Sequence, residues 1–125
     1  MVKALLIAGF GGFIGTVLRF LISRYYQVNA VSSFPWGTFT VNIVGCFLIG
    51  LIFGVSDKTG WISPEMRIFL TVGICGGFTT FSSFSNDTYL LIEDKEWLFT
   101  ALYTSLSFFL GLVAVYSGRL LTKIL

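Results

Sequence analysis

Residues 97–118, WLFTALYTSLSFFLGLVAVYSG, contain no charged side chain and are long enough to cross a bilayer as one helix, which takes about 20 apolar residues. Three further charge-free runs precede this one, at residues 25–56, 68–86 and 4–18. The run at 4–18 is long enough only if its helix continues through Arg19. The pattern predicts an all-α membrane protein of one domain, residues 1–125, with transmembrane helices at about 2–25, 36–55, 65–92 and 97–123.

The composition agrees with a chain dissolved in lipid. Hydrophobic residues make up 55%, charged residues only 11%, and the mean hydropathy is +0.88. A soluble domain carries about twice that share of charge. Because the chain has no histidine and its carboxylates lie mainly in predicted loops, His-dependent or paired-carboxylate catalysis is not expected, and we predict that the protein is not an enzyme.

Several small or thiol side chains are expected to serve packing. Glycines recur four residues apart, a spacing that lets helix backbones approach closely in lipid. Cys46 and Cys75 lie in apolar spans, form no C-x-x-C pair, and are interpreted as buried packing residues. The glycine pairs are Gly11/Gly15, Gly50/Gly54 and Gly73/Gly77.

Charge asymmetry between the two sides of the membrane is small. Five Lys or Arg residues fall on the side of the N-terminus and three on the opposite side, so the positive-inside rule permits both orientations. Insertion in both orientations favours an antiparallel two-fold dimer, and a single orientation with both termini inside is the alternative. Charge alone leaves both open. The five are Lys3, Lys58, Arg67, Arg119 and Lys123, and the three are Arg19, Arg24 and Lys95.

The third span places glycines, hydroxyls and an amide at membrane depth, in residues 73–86, GICGGFTTFSSFSN. Gly76-Gly77 followed by β-branched Thr79-Thr80 is poor helix sequence. We therefore expect a helix break at Gly76 to Thr80, which frees carbonyl oxygens that need a partner such as a cation. The alternative is a continuous flexible helix whose hydroxyls bond to their own carbonyls.

Two side-chain types in these spans are suited to binding an anion. Phe81 and Phe84 share a helical face, and the positive edge of an aromatic ring attracts a small anion. Asn42 shares a stripe with Thr38 on the second helix and offers two N–H donors. The alternatives are core packing for the phenylalanines and a helix-to-helix hydrogen bond for Asn42.

Two further features are predicted to favour an anion inside the membrane. Tyr103 and Ser107 belong to a hydroxyl stripe on the fourth helix, which indicates either an ion pathway or a helix interface held by hydroxyls. Arg19 would raise the potential for anions within the first span, unless it snorkels to the headgroups.

Three motifs occur in the order and spacing of the Fluc (CrcB) fluoride channels: GGFIGTVLRF at 11–20, WGTFTVNIVG at 36–45 and GGFTTFSSF at 76–84. The resemblance covers essentially the whole chain. Its departures are mild: Phe20 stands where tyrosine is more usual, and Ser83 where threonine is common. The resemblance implies a passive, fluoride-selective channel of the cell (inner or plasma) membrane that exports toxic cytoplasmic fluoride.

The same resemblance implies an assembly and roles for individual residues. The protein is expected to be an antiparallel, dual-topology homodimer with two fluoride pores. A structural sodium ion is expected at the dimer interface, held by the backbone carbonyls of Gly76 and Thr79 from both subunits. The fluoride pathway is expected to involve Asn42, Phe81, Phe84, Tyr103, Ser107, Thr38 and Arg19.

Two rival functions fit four short spans less well. A proton-coupled or multidrug transporter needs an intramembrane carboxylate, usually in the first span, and no acidic residue precedes Asp57. A membrane scaffold without transport activity would not place so many polar side chains at membrane depth.

Overall fold

The computed structural model describes residues 1–30 and 32–125, and within these residues it contains helices and no strand. Four spans are long and apolar enough to cross a membrane: α1 at Val2–Asn29, α2 at Trp36–Lys58, a third span at Pro64–Glu93, and α6 at Trp97–Ile124. The helical fold class and the four predicted transmembrane helices are confirmed, and the chain is a multi-pass membrane protein.

The third span is built from several pieces. It begins with a short α-helix, α3, at Pro64–Arg67, and continues as a π-helical stretch, Ile68–Cys75, and one α-helical turn, α4, at Gly76–Phe78. After two non-helical residues, α5 runs over Phe81–Glu93. The start of α3 is capped because the Ser63 hydroxyl accepts a hydrogen bond from the Met66 N–H at 3.1 Å.

The break is shorter than the expected interval of Gly76 to Thr80. Gly76 keeps helical dihedrals, φ −62° and ψ −40°, and only Thr79 and Thr80 are extended, with φ/ψ of −97°/158° and −155°/120°. Glycine is a weak helix former but has no steric conflict with helical dihedrals, whereas β-branched threonine suits an extended backbone. The interruption therefore falls on the threonines and follows the glycines.

Glycines set the spacing between α1 and the first half of the third span. A Cβ atom built on Gly11 would lie 2.9 Å from the Cα of Gly73, and one on Gly77 would lie 2.5 Å from the carbonyl oxygen of Gly12. A Cβ on Gly15 would overlap the carbonyl oxygen of Ile74. Such backbone contacts allow no side chain at these positions, so the predicted packing role of the glycines in this interface is confirmed.

Close backbone approach at glycines also joins α2 to α6. Gly50 faces the backbone of Val115, and Gly54 faces the side chain of Thr122, in each case too closely for a Cβ atom. These contacts bring the two helices together along their length. Outside these two interfaces, α5 packs mainly on α6. The extended residues Thr79 and Thr80 lie between the two halves of the third span.

Candidate functional site

Asn42 of α2 forms hydrogen bonds across a helix interface to the break in the third span. Its amide Nδ2 donates to the carbonyl oxygen of Thr80 at 3.1 Å, and the N–H of Thr80 donates to its Oδ1 at 2.8 Å. The side chain thus satisfies both backbone groups of Thr80, which the interrupted helix does not pair. Since the amide carries two N–H groups, the bond to Thr80 leaves one of them for another acceptor.

The helix ends on either side of the break are also stabilised by polar contacts. Before it, the Arg19 side chain donates from Nε to the carbonyl oxygen of Gly77 at 2.9 Å, and the Thr79 hydroxyl donates to the carbonyl of Cys75 at 2.9 Å. After it, the Thr80 hydroxyl accepts from the N–H of Ser83 at 3.2 Å and caps α5. Arg19 therefore points its guanidinium at the break, in a half-buried position.

Three carbonyl oxygens at the break have no hydrogen-bond donor among residues 1–30 and 32–125, those of Gly76, Phe78 and Thr79. The N–H of Thr80 would reach Gly76 in a continuous helix, but it bonds to Asn42 instead. The N–H of Ser83 is diverted from Thr79 in the same way, to the Thr80 hydroxyl. Gly76 is exposed on the surface of the single chain. The carbonyls of Gly76 and Thr79, two of these three, are the ones that the family resemblance implies would hold a sodium ion, and that role stays a prediction.

A groove of about 430 Å³ opens beside the break. It brings together four of the residues predicted for the ion pathway, Asn42, Phe81, Phe84 and Ser107, with Thr79 and Thr80 from the break itself. The rings of Phe81 and Phe84 have centroids 5.8 Å apart and planes tilted by 38°, so they share one face as predicted. The remaining lining residues are Gly45, Cys46, Ile49, Phe108 and Val115, and none of the eleven carries a charge.

Ser107 contributes an unsatisfied polar atom to this groove. Its Oγ is buried and has no hydrogen-bond partner among the described residues. A buried hydroxyl without a partner costs about 1–3 kcal/mol relative to one that is paired. Ser107 therefore places beside the groove a donor that would gain free energy from an acceptor.

Tyr103 connects the groove to a second polar cleft. The side chain is fully buried, its ring centroid is 5.0 Å from that of Phe84, and its hydroxyl donates to Asp87 Oδ2 at 3.2 Å. Asp87 also lines a cleft of about 220 Å³ together with Thr38 and residues from the end of α1. Thr38 therefore lies at this cleft, outside the groove that contains Asn42.

The structure thus places the predicted pathway residues at four different positions. The groove contains Asn42, Phe81, Phe84 and Ser107, while Tyr103 lies buried beside Phe84, and Thr38 lines the second cleft. Arg19 contacts Gly77 from α1 and lies outside both cavities. Their roles toward an ion stay predictions.

Sequence reasoning did not include Asp87, which the structure joins to Tyr103 and to the second cleft. One signal was present in the sequence. Asp87 directly follows the charge-free run 68–86 and lies three positions after Phe84, so it is on the same helical face as that ring.

The chemistry of the groove is suited to a small anion. Its lining combines two phenylalanine rings, an amide and a hydroxyl residue, whose ring edges, N–H and O–H groups are electropositive, and it contains no carboxylate to oppose them. The break also has three carbonyl oxygens without a donor among the described residues, and carbonyl oxygens are suitable ligands for a hard cation.

Comparison with known proteins gives a consistent picture. The family model described as CrcB-like protein, Camphor Resistance (CrcB), matches residues 6–119. A protein of Flavobacterium psychrophilum named fluoride-specific ion channel FluC is 43% identical over 121 residues, which cover 97% of this chain and 98% of the relative. Proteins with the same name from Azobacteroides pseudotrichonymphae and Chlorobium phaeobacteroides are 41% and 44% identical over 123 residues, covering 98% of this chain and 98% and 95% of theirs.

The matched region includes all four spans, the break at Thr79 and Thr80, and every residue of the groove. A match of this extent, together with relatives more than 40% identical over nearly their whole length, establishes common descent of the entire membrane domain. The chain belongs to the CrcB-like family.

Proposed function

We propose that the protein is a passive, fluoride-selective channel. The observation that carries the proposal is the uncharged groove lined by Phe81, Phe84, Asn42 and Ser107, the last with a hydroxyl that has no partner among the described residues. The relatives named above are fluoride-specific ion channels, and their name supports the choice of anion and the expectation that the chain is not an enzyme.

Selectivity follows from how a desolvated anion is stabilised in the groove. Fluoride loses its hydration shell only where donors replace the lost water, and ring edges attract it while admitting little water themselves. Ser107 and the second N–H of Asn42 supply donors, and Phe81 and Phe84 supply the edges. Chloride is larger and more weakly hydrated, and it fits donors spaced for fluoride less well.

Passive flow through such a pathway exports fluoride from the cell. Hydrogen fluoride enters as a neutral weak acid and releases fluoride in the less acidic cytoplasm. A membrane potential that is negative inside then drives the anion outward, by about 2.3 kcal/mol per elementary charge for each 100 mV. The cell membrane, the inner one where there are two, is the corresponding location.

The working assembly in this proposal is an antiparallel homodimer of dual-topology subunits. The single chain leaves Gly76 exposed and Phe81 78% exposed, although Phe81 lines the groove. A second copy in the inverted orientation would cover these surfaces and bring two breaks face to face. The five-to-three distribution of cations between the two sides permits this insertion.

The same dimer gives a role to the free carbonyls of the break. We propose that the carbonyl oxygens of Gly76 and Thr79 from both subunits hold a structural sodium ion, a fit supported by their lack of donors among the described residues. Oxygen ligands of this kind suit hard cations. The ion would neutralise four carbonyl dipoles that otherwise face one another in lipid.

Ion flux from liposomes containing the purified protein tests the proposal. Fluoride should leave far faster than chloride, and without a requirement for a proton gradient. Phe81→Ile and Phe84→Ile keep apolar bulk but remove the ring edge, so each should lower fluoride flux on the order of tenfold or more while the protein stays folded. Phe20→Ile, at a 62% exposed ring on α1 outside the groove, is the matched control and should conduct as the wild type does. Equal chloride flux, or coupling of flux to protons, would refute the proposal.

A further inference from the structure

Two arginines from different helices converge on one aromatic ring near the end of the membrane domain. The guanidinium carbon of Arg67, in α3, lies 4.6 Å from the ring centroid of Phe53, and that of Arg119, in α6, lies 5.5 Å from the same centroid. Both distances are within the range of cation–π attraction. Phe53 of α2 therefore brings two like charges together that would otherwise repel each other.

The charge of this cluster is only partly neutralised within the chain. Arg119 forms a 3.0 Å ion pair with Asp57, while Arg67 has no carboxylate within ion-pair distance among residues 1–30 and 32–125. The nearest polar partner of Arg67 is the Ser56 hydroxyl, at a long 3.5 Å. Lys58 adds a third cation, whose Nζ donates to the carbonyl of Thr122 at 2.8 Å. The two arginines at Phe53 thus share a single ion-paired carboxylate, and Lys58 is the residue next to that carboxylate in sequence.

The depth of the cluster corresponds to the headgroup region of a bilayer. At a rise of about 1.5 Å per residue, Arg67 lies roughly 4–5 Å inside the start of α3 at Pro64, and Arg119 lies roughly 7–8 Å inside the end of α6 at Ile124. The loop between α2 and α3 carries Trp61, which is 85% exposed, and tryptophan is enriched at this level of a membrane.

We propose that Arg67, Arg119 and Lys58 bind the phosphate of an anionic glycerophospholipid headgroup. The Arg67 guanidinium is held against Phe53 and retains free N–H donors in the planar arrangement that matches phosphate oxygens. A lipid supplies the missing negative charge at the right depth and remains concentrated in the surrounding bilayer. The surface is formed within one chain and is separate from the groove that contains Asn42.

Lipid retention by the detergent-solubilised full chain, measured by native mass spectrometry during titration with phosphatidylglycerol, tests the proposal. Phosphatidylcholine with the same acyl chains and inorganic phosphate are the comparison ligands. Phosphatidylglycerol should bind most tightly. Arg67→Gln should weaken its binding on the order of fivefold, the factor that corresponds to about 1 kcal/mol per cation at an anionic membrane surface.

Two further variants make the experiment independent of any folding defect in Arg67→Gln. Asp57→Asn frees Arg119 from its ion pair, so binding of phosphatidylglycerol should tighten. Arg24→Gln removes an exposed cation at the opposite end of the spans and should leave binding unchanged. The proposal is overturned if phosphatidylcholine or inorganic phosphate binds as well as phosphatidylglycerol. Equal loss in the Arg67 and Arg24 variants, or weaker binding in Asp57→Asn, would overturn it as well.

Discussion

Replacing Asn42 by alanine should both lower fluoride flux and destabilise the protein. The side chain makes two hydrogen bonds with the backbone of Thr80, of 3.1 Å and 2.8 Å, so alanine leaves a donor and an acceptor unpaired at the break. An unpaired buried group costs about 1–3 kcal/mol, and the average side-chain hydrogen bond measured within a membrane protein contributes about 0.6 kcal/mol. Two lost bonds at a half-buried site therefore predict a loss of about 1–4 kcal/mol.

The sequence left two roles open for Asn42, a donor to an anion and a hydrogen bond between helices, and the structure shows the second. If Asn42 served only as a donor to the anion, alanine would reduce flux and leave the fold unaffected. Because the structure gives the same amide a second task, holding Thr80, flux and stability should fall together. Asn42→Asp keeps an acceptor for the N–H of Thr80 but loses both N–H donors, including the one to the Thr80 carbonyl, so it should abolish donation to the anion and keep only one of the two bonds to Thr80.

The assay combines fluoride efflux from liposomes with the free energy of unfolding in detergent for each variant. Asn29→Ala is the matched control, because the Asn29 amide donates to the carbonyl of Tyr25 in its own helix at 2.8 Å and is exposed. The control should change neither quantity appreciably. An Asn42→Ala protein with wild-type stability and reduced flux would refute the holding role, and one with lowered stability and full flux would refute the donor role.

Two further predictions address the assembly. Exhaustive removal of sodium should loosen or inactivate the proposed dimer, because the carbonyls of Gly76 and Thr79 would lose their cation. A large organic cation should not restore the dimer. Full activity and an unchanged dimer in sodium-free buffer would contradict the cation site. Tags on the termini should be labelled from both sides of the membrane in cells, because each subunit is expected to insert both ways. A functional dimer in which every copy has one orientation is incompatible with this topology.

The site was predictable where it depends on local geometry. Phe81 and Phe84 are three residues apart on one helix, so their shared face follows from helical periodicity, and the structure shows both rings in the groove. The stripe that includes Ser107 follows from the same periodicity within α6. The packing role of the glycine pairs could also be predicted from their spacing in apolar segments alone. The structure places these glycines in the interfaces of α1 with the third span and of α2 with α6.

Contacts between residues distant in sequence could not be predicted from helical periodicity or residue spacing. The pairing of Asn42 with Thr80 joins positions 38 residues apart, and Arg19 reaches Gly77 across 58. Whether a polar side chain meets a lipid headgroup, an ion or a backbone carbonyl depends on the rotation of each helix against its neighbours. The tertiary packing also directed the break to Thr79 and Thr80, because Asn42 offers its amide at Thr80 and not at the glycines.

The sequence by itself determined that this protein lies in a lipid bilayer, that it has four spans, and which chemical groups occupy its polar positions. A charge-free run of sufficient length has one stable location, and hydroxyls, amides and aromatic rings keep their properties wherever they lie. Only the tertiary structure decided which of these groups face one space and which pair with each other, because the packing of α2 against the third span and α6 fixes distances that no spacing along the chain specifies. The hydrogen bonds of Asn42 with Thr80 and of Tyr103 with Asp87 are both results of this packing.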